Sequence, residues 1–148
     1  MALANKWSGA GHEPMFQFAR AAAANAPPGS DVPITLIQAH VERWLWDFNF
    51  EDDEPAAAAY LQEPAVRDEV LGAYDRSLGS PDHRPIRSTI HARNWAAMWF
   101  FLIRDRERLG HELQQIGPSH TVSPWCFLDD EEVAFADARA FAAGAKGA

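Results

Sequence analysis

Nine consecutive apolar residues, Trp95 to Ile103, constrain the fold of this chain more than any other stretch. At about 100° per residue their side chains point to nearly every side of a helix, and a helix that is apolar all round is buried on most sides. The run is too short to cross a bilayer, which takes about 20 apolar residues. Three polar residues, His91, Arg93 and Asn94, lie just before it. The sequence therefore predicts a central buried helix, from about Ile86 to Arg104, in a protein that does not span a membrane.

The composition fits one globular domain. The chain has 148 residues, 47% of them hydrophobic and six of them tryptophan, and a chain near this length buries roughly 70% of its unfolded surface. The net charge of −8 argues against a nucleic-acid partner or an anionic membrane. Cys126 is the only cysteine, so an internal disulfide is excluded, and the N-terminal stretch has no apolar run long enough for a secretory signal. We therefore expect a cytoplasmic protein.

Apolar residues recur at helical spacing, and proline, glycine and capping residues mark the breaks. In the second predicted helix, for example, Ile34, Ile37, Val41 and Trp44 fall on one face. No segment has the alternation and β-branched density of a strand. The pattern predicts an all-α domain of six or seven helices over residues 12–143, between a flexible segment at 1–11 and a flexible tail at 144–148. The predicted helices cover about residues 13–25, 32–50, 56–62, 64–78, 86–104, 106–116 and 129–142.

Two short patterns recur at a nearly constant offset. Glu13-Pro14 matches Glu63-Pro64, and His40-x-x-x-Trp44 matches His91-x-x-x-Trp95. In each copy the first pattern begins a helix and the second lies within the next long helix, where residues four apart share a face. If this is a true repeat, the chain consists of helical hairpins stacked as a short α-solenoid. The alternative is a chance match within a closed helical bundle.

Residues 94–116 (NWAAMWFFLIRDRERLGHELQQI) resemble a tetratricopeptide-type hairpin, with a tight turn at Arg104-Asp105 and Asp105 as the N-cap of the second helix. Two positions depart from the usual pattern, since Arg104 replaces the turn glycine and Leu109 replaces a small residue. More broadly, the chain is similar to a group of uncharacterised bacterial tetratricopeptide-like proteins. The resemblance implies an irregular array of helical hairpins, but its motifs are structural and name no activity. The stretches that carry it are Trp7-Ser8-Gly9, Met15-Phe16-x-Phe18-Ala19-Arg20, Pro28-Gly29-Ser30, residues 39–44 (AHVERW) and Pro124-Trp125.

Motifs for catalysis, metal binding or phosphate binding are missing from the sequence. No histidine has a glutamate three residues before it, and neither a His-Glu-x-x-His motif nor a glycine-rich phosphate loop occurs. Cys126, between Trp125 and Phe127, is predicted to be a packed thiol rather than a nucleophile, because no base or cationic neighbour is implied nearby. We therefore predict no catalytic residue, no metal ligand and no cofactor.

The surplus of aromatic residues leaves two interpretations open. Pairs four residues apart, such as Trp44 with Phe48, are most often core, but they can also line a groove with polar residues beside them. The resemblance implies that such a groove would clamp a peptide, with arginine on carboxylates and asparagine on peptide groups. The predicted binding residues are His40, Arg43, Trp44, Arg87, His91, Arg93 and Asn94.

The function predicted from the sequence is a non-enzymatic interaction module, an adaptor or subunit that binds a protein or peptide partner. The alternative is a small metal- or cofactor-dependent enzyme, or a subunit of one, that uses His40 and His91. A further possibility is a homodimer that forms through Trp46 or Trp125.

Overall fold

The computed structural model describes residues 11–49, 51 and 53–144. Every regular element in them is a helix, which confirms the predicted all-α class. The predicted number of helices is exceeded by one, because residues 122–125 form an additional short helix. Trp7, most of the predicted N-terminal segment and most of the predicted tail lie outside the described residues. The helices are α1 (His12–Asn25), α2 (Ile34–Asn49), α3 (Glu54–Gln62), α4 (Pro64–Arg76), α5 (Thr89–Leu102), α6 (Arg106–Ile116), α7 (Val122–Trp125) and α8 (Glu131–Ala142).

The chain divides into two compact units, one up to Arg84 and one from Pro85 onwards. The boundary lies in the proline- and glycine-containing loop that follows α4. The first unit contains α1 to α4 and the second contains α5 to α8.

Helix α2 is the central helix of the first unit and packs against α1, α3 and α4. Its buried face carries Ile34, Ile37, Val41 and Trp44, as the spacing predicts. Burying side chains of this size contributes about 1.5–3 kcal/mol each. Helices α1, α2 and α4 also share one apolar cluster, which consists of Met15, Phe16, Ala19, Leu36, Ala39 and Ala73.

Proline and acidic residues set the helix starts in the first unit. Pro64 is the first residue of α4, and Pro55 lies in the first turn of α3, where the missing N–H is not needed. The side chain of Asp53 accepts a 2.9 Å hydrogen bond from the amide of Ala56 and so caps α3. The predicted helix start at Glu63-Pro64 is confirmed.

Two loops of the first unit are held together around Gly29. The Gly29 amide donates to the Arg76 carbonyl at 2.9 Å, and its own carbonyl accepts from His83 Nδ1 at 2.9 Å. The Ser77 hydroxyl donates to the Ser30 carbonyl at 2.7 Å. Gly29 has a positive φ of 77°, and a Cβ atom there would lie 2.5 Å from the Asp82 carbonyl carbon. Only glycine fits this contact without a shift of the backbone.

Helix α5 is the core of the second unit, as its apolar run predicts. All residues from Ala92 to Phe100 are buried, and α5 packs against both α6 and α7. Helix α8 packs against α6 and α7 and closes the unit. Burial extends to Arg93 and Asn94 of α5, which the sequence places on a polar front end.

The predicted turn between α5 and α6 is confirmed. Arg104 has a φ of 61°, the left-handed conformation for which glycine is preferred. Asp105 caps α6, since its side chain accepts a 3.1 Å hydrogen bond from the Arg108 amide. The guanidinium of Arg104 lies 5.0 Å from the ring centres of both Phe101 and Phe141. These cation–π contacts offset part of the backbone cost.

Near α7, the predicted environment of Cys126 is wrong, and one of the two possible dimer contacts is buried. Trp125 is 0% exposed, so it offers no surface for a dimer. Cys126 is exposed rather than packed. The cause is the turn that follows α7, because Trp125 points into the unit and the next two residues, Cys126 and Phe127, point outwards.

Across the described residues, none of the helices is both long enough and apolar enough to cross a bilayer.

Candidate functional site

The seven predicted binding residues fall in both units. His40, Arg43 and Trp44 lie on α2 in the first unit, and His91, Arg93 and Asn94 lie on α5 in the second. Arg87 is an exposed residue just before α5.

Asn94 and Arg93 make buried contacts within the second unit. Asn94 is 0% exposed; its Oδ1 accepts from the indole of Trp125 at 2.7 Å and from the amide of Thr121 at 3.3 Å. Arg93 donates to Glu112 at 2.8 Å, and Glu112 is 0% exposed. These bonds join α5 to α6, to α7 and to the residue before α7. These contacts give both residues a structural role, while their predicted role in binding stays a prediction.

His91 is exposed and accepts a 3.0 Å hydrogen bond from the indole nitrogen of Trp95. Trp95 is 6% exposed and also contacts the ring of Phe127, at 6.1 Å between ring centres. The His91-x-x-x-Trp95 pattern thus forms one local hydrogen bond on the face of α5.

Trp44 and Arg43 have different surroundings on α2. Trp44 is 5% exposed and belongs to the core, and its ring stacks at 5.1 Å on Phe48, which is exposed. Arg43 is partly exposed; it pairs with Asp47 one turn later, and its guanidinium lies 5.6 Å from the ring centre of Tyr60.

His40 is the centre of a buried polar network. It is 2% exposed, its Nδ1 lies 2.6 Å from the Tyr60 hydroxyl, and its Nε2 lies 2.9 Å from a Glu69 carboxylate oxygen. The edge of its ring meets Phe16, with 4.9 Å between ring centres. A histidine so enclosed is held in a single orientation by α1, α3 and α4.

The chemistry of these neighbours decides where the protons lie. The hydrogen bonds from Arg20 lower the pKa of Glu69, so its carboxylate is ionised and can only accept. Burial lowers the pKa of His40 and raises the pKa of Tyr60, so both are neutral near pH 7. His40 Nε2 must then carry the proton and donate to Glu69, and Nδ1 accepts the proton of the Tyr60 hydroxyl. The Tyr60 oxygen is left with its acceptor lone pairs.

Arg20 connects α1 to α4 through Glu69. Its Nε and one terminal nitrogen donate to the two carboxylate oxygens of Glu69 at 2.7 and 3.0 Å. The same guanidinium lies 5.0 Å from the ring centre of Phe16, one turn earlier on α1. A bidentate pair of this kind fixes geometry as well as charge.

A groove runs between α1 and α4, and α2 forms its floor. It consists of two cavities of about 440 and 400 Å³, and Arg20 and Glu69 line both. The larger cavity lies over Ala23, Leu36 and Gly72, and the smaller over Phe16 and Val66.

Helices α1 and α4 run in the same direction along this groove. The smaller cavity is lined by the earlier residues of both helices, and the larger cavity by their later residues. Helix α2 runs the opposite way, since Leu36 lies at the larger cavity and Arg43 at the smaller. From His12 to Ala23, α1 borders the groove for about 16 Å at 1.5 Å per residue.

Acidic residues outnumber basic ones along the groove. Of the lining residues within the described part of the chain, five are acidic and three are basic. Two of the three guanidiniums already pair with carboxylates, Arg20 with Glu69 and Arg43 with Asp47. The acidic residues are Glu13, Glu63, Asp68, Glu69 and Asp75, and the basic ones are Arg20, Arg43 and Arg76.

His12 lies at the end of the groove nearest the start of α1. Its ring meets the edge of Trp46 at 5.4 Å, and Trp46 is half-buried and donates to Glu51 at 3.0 Å. Burial lowers the pKa of His12, and its Nε2 atom is buried without a hydrogen-bond partner. Within the part of the chain that the structure describes, no three histidine, cysteine or acidic side chains are placed to hold a metal ion.

Of the predicted residues, only His40 and Arg43 line this groove. Arg20, Tyr60 and Glu69 also line it, and none of them was among the predicted residues. The sequence carries only a weak signal for Glu69. It directly precedes Val70, a residue of the apolar stripe of α4, so its carboxylate lies at the edge of the core.

Comparison with protein families, curated proteins and solved structures finds no match to this chain. The resemblance to tetratricopeptide-like proteins therefore stays a prediction.

Proposed function

We propose that the protein is a non-enzymatic interaction module that binds a peptide segment of a partner protein in the groove between α1 and α4. The observation that carries the proposal is the groove itself, whose two cavities follow successive turns of the same two helices. About 16 Å of groove accommodates roughly five residues of an extended chain, or about three turns of a helix.

The floor and rim of the groove suit a peptide. Small and apolar side chains, such as Ala23, Leu36 and Val66, provide contact area, and charged residues along the rim provide orientation. Grooves of this kind between packed helices commonly receive an amphipathic or extended segment.

The setting of His40 also favours binding over catalysis. Both ring nitrogens are engaged, one by Tyr60 and one by Glu69, and the side chain is 2% exposed. A substrate in the groove would meet neither nitrogen, whereas a general base must reach the proton that it removes.

A cytoplasmic, tetratricopeptide-like protein of bacterial origin remains part of the proposal. Its support is the single cysteine, which suits a reducing compartment, and the sequence resemblance given above.

One observation favours a second candidate, an enzyme that uses His40. The series Tyr60–His40–Glu69 has the order of a hydroxyl, a base and an orienting carboxylate. In that case the Tyr60 hydroxyl would be the reacting group in the smaller cavity. The predicted partnership of His40 with His91 has no such support, since His91 belongs to the second unit.

Selection from a random peptide library displayed on phage tests the first candidate. Gly72→Phe fills the larger cavity, because Gly72 is exposed and a Cβ atom there meets no neighbour within 4 Å. Gly110→Phe is the matched control, since Gly110 has the same free space and lines a cavity of the second unit. We expect selected peptides to lose about tenfold or more in affinity for Gly72→Phe and to bind Gly110→Phe normally. Equal binding to both variants contradicts the proposal.

The second candidate is tested with Tyr60→Phe. Hydrolysis of a panel of chromogenic esters and amides by the wild-type protein, abolished by Tyr60→Phe and retained by Trp46→Phe, would support an enzyme. Activity that survives Tyr60→Phe argues against this role of the network.

A further inference from the structure

Arg20 shows how the groove holds a guanidinium group. Glu69 accepts two hydrogen bonds from it, at 2.7 and 3.0 Å, while the face of Phe16 lies 5.0 Å from its central carbon. A bidentate carboxylate and an aromatic face together are a complete recognition site for arginine. Arg20 itself is 50% exposed on its side chain, so it can leave this position for solvent.

The carboxylate of this site is held in place independently of Arg20. His40 Nε2 donates to Glu69 at 2.9 Å, and His40 is in turn fixed by Tyr60. If Arg20 moved away, Glu69 would keep its orientation, and its half-buried carboxylate would present a negative charge to the groove. Such a preorganised acceptor reduces the cost of binding a new cation.

Among the other charged groove residues that the structure describes, four are acidic and two, Arg43 and Arg76, are basic, so the balance still favours a cation. The Tyr60 oxygen offers lone pairs, because its proton is directed to His40. Glu13 and Glu63 are exposed at the same cavity, and the larger cavity adds Asp68 and Asp75. The whole chain carries a net charge of −8, which attracts a basic partner during encounter.

We infer that the groove recognises a basic segment of a partner protein, and that an arginine or lysine of that segment displaces Arg20 from Glu69 and Phe16. This inference rests on the proposed function, because it names the partner of the same groove. Arg20 is then an internal occupant that competes with the partner for one site. The cost of displacing it makes the groove selective for segments whose flanking residues also fit the apolar floor.

The test begins with those peptides selected on the wild-type protein that lose their binding to Gly72→Phe. We expect arginine or lysine to recur at one position among them. Replacing that arginine with citrulline, or that lysine with acetyl-lysine, removes the charge and keeps most of the shape. The affinity should then fall about tenfold or more, since charge-assisted hydrogen bonds are lost.

Two single variants of the protein separate the site from general charge attraction. Arg20→Ala removes the competitor and should strengthen binding of the same peptides by about tenfold. Arg67→Ala is the control. It also removes one positive charge, but from a residue of α4 that does not line the groove. We expect Arg67→Ala to change the affinity less than about twofold at physiological salt.

The outcomes distinguish this inference from the function on which it rests. Groove-dependent peptides that need no basic residue would overturn the inference and leave the interaction module standing. Equal strengthening by Arg20→Ala and Arg67→Ala would likewise overturn it. Failure to select any peptide that is sensitive to Gly72→Phe would overturn both.

Discussion

The indole nitrogen of Trp125 donates a 2.7 Å hydrogen bond to Oδ1 of Asn94 in the interior of the second unit. Both residues are 0% exposed. The same oxygen accepts from the Thr121 amide at 3.3 Å, and the Asn94 amide group donates to the Ile90 carbonyl at 2.8 Å. One side chain of α5 therefore satisfies a buried donor of α7 and a partly buried donor of the residue before it.

Replacing Asn94 with alanine should destabilise the second unit. The buried indole of Trp125 and the partly buried amide of Thr121 lose their acceptor. An unsatisfied buried group costs about 1–3 kcal/mol, so we expect a loss of about 2–3 kcal/mol in the free energy of unfolding. The measurement is urea denaturation followed by tryptophan fluorescence. Asn25→Ala is the control, because Asn25 makes the same bond to a carbonyl four residues back, at 2.8 Å, but is exposed. Similar losses for both variants would contradict this role of Asn94.

The buried pair of Arg93 and Glu112 makes a second prediction. Arg93→Met leaves the fully buried carboxylate of Glu112 without its guanidinium, which should cost about 3–5 kcal/mol. The double variant Arg93→Met/Glu112→Leu should lose less than Arg93→Met alone, because no charge is left behind. Urea denaturation of the three proteins measures the difference.

The control for this pair is Arg108→Met in the same unit. Arg108 pairs with Asp105 at 2.7 Å, but the Arg108 side chain is 42% exposed, so its loss should cost less than about 1 kcal/mol. If Arg93→Met lowers the free energy of unfolding no more than Arg108→Met does, burial does not determine how much an ion pair contributes to stability.

The helices follow from local signals, and so they could be predicted. The apolar run of α5, the proline at the start of α4 and the Asp105 cap each act within a few residues of the chain. The turn at Arg104 could be located despite the missing glycine, because the apolar run ends there. Helix α7 has only four residues, too few for a hydrophobic period, and was missed for that reason.

The groove depends on contacts between distant parts of the chain. Arg20 and Glu69 are 49 residues apart, and Asn94 and Trp125 are 31 apart. Nothing in the local sequence states which carboxylate will face Arg20 across α2. Non-local pairing therefore explains why the helices were predicted and most of the groove was not.

The two His-x-x-x-Trp patterns illustrate the same limit. His40 is buried and bonds to Tyr60 and Glu69, which come from other helices, whereas His91 is exposed and bonds to Trp95 on its own helix. The four-residue spacing puts the histidine and the tryptophan on the same face of the helix in both patterns. The neighbouring helices then give the two histidines different surroundings.

Gly29 should be intolerant of a side chain for steric reasons. A Cβ atom would lie 2.5 Å from the Asp82 carbonyl carbon and 2.6 Å from the His83 amide nitrogen, in addition to the strain of a positive φ. Gly11→Ala provides the comparison, because Gly11 also has a positive φ, 71°, but open space around it. We expect Gly29→Ala to lose at least about 2 kcal/mol more than Gly11→Ala in urea denaturation. Equal losses would show that the two loops separate easily.

The buried imidazole of His40 should make stability depend on pH. Burial lowers the pKa of His40 in the folded protein, whereas in the unfolded chain the group titrates near its ordinary value of 6.5. Below that pH the unfolded state binds a proton that the folded state resists, so stability falls as the pH falls from 6.5 towards the lowered value. Above 6.5 the contribution is constant. For one proton the slope is at most about 1.4 kcal/mol per pH unit.

Urea denaturation between pH 8 and pH 5 measures this dependence, and His40→Gln should flatten it. The range stays above the ordinary value of 4.5 for Glu69, whose lowered pKa adds a further loss only in more acidic solution. Burial also lowers the pKa of His12, but His12 is present in both proteins and its effect cancels in the difference. His111→Gln, at a side chain that is 56% exposed, should keep the wild-type slope. If His40→Gln keeps the wild-type slope, another group causes the pH dependence of stability. His40 would then bind its proton equally well in the folded and unfolded states.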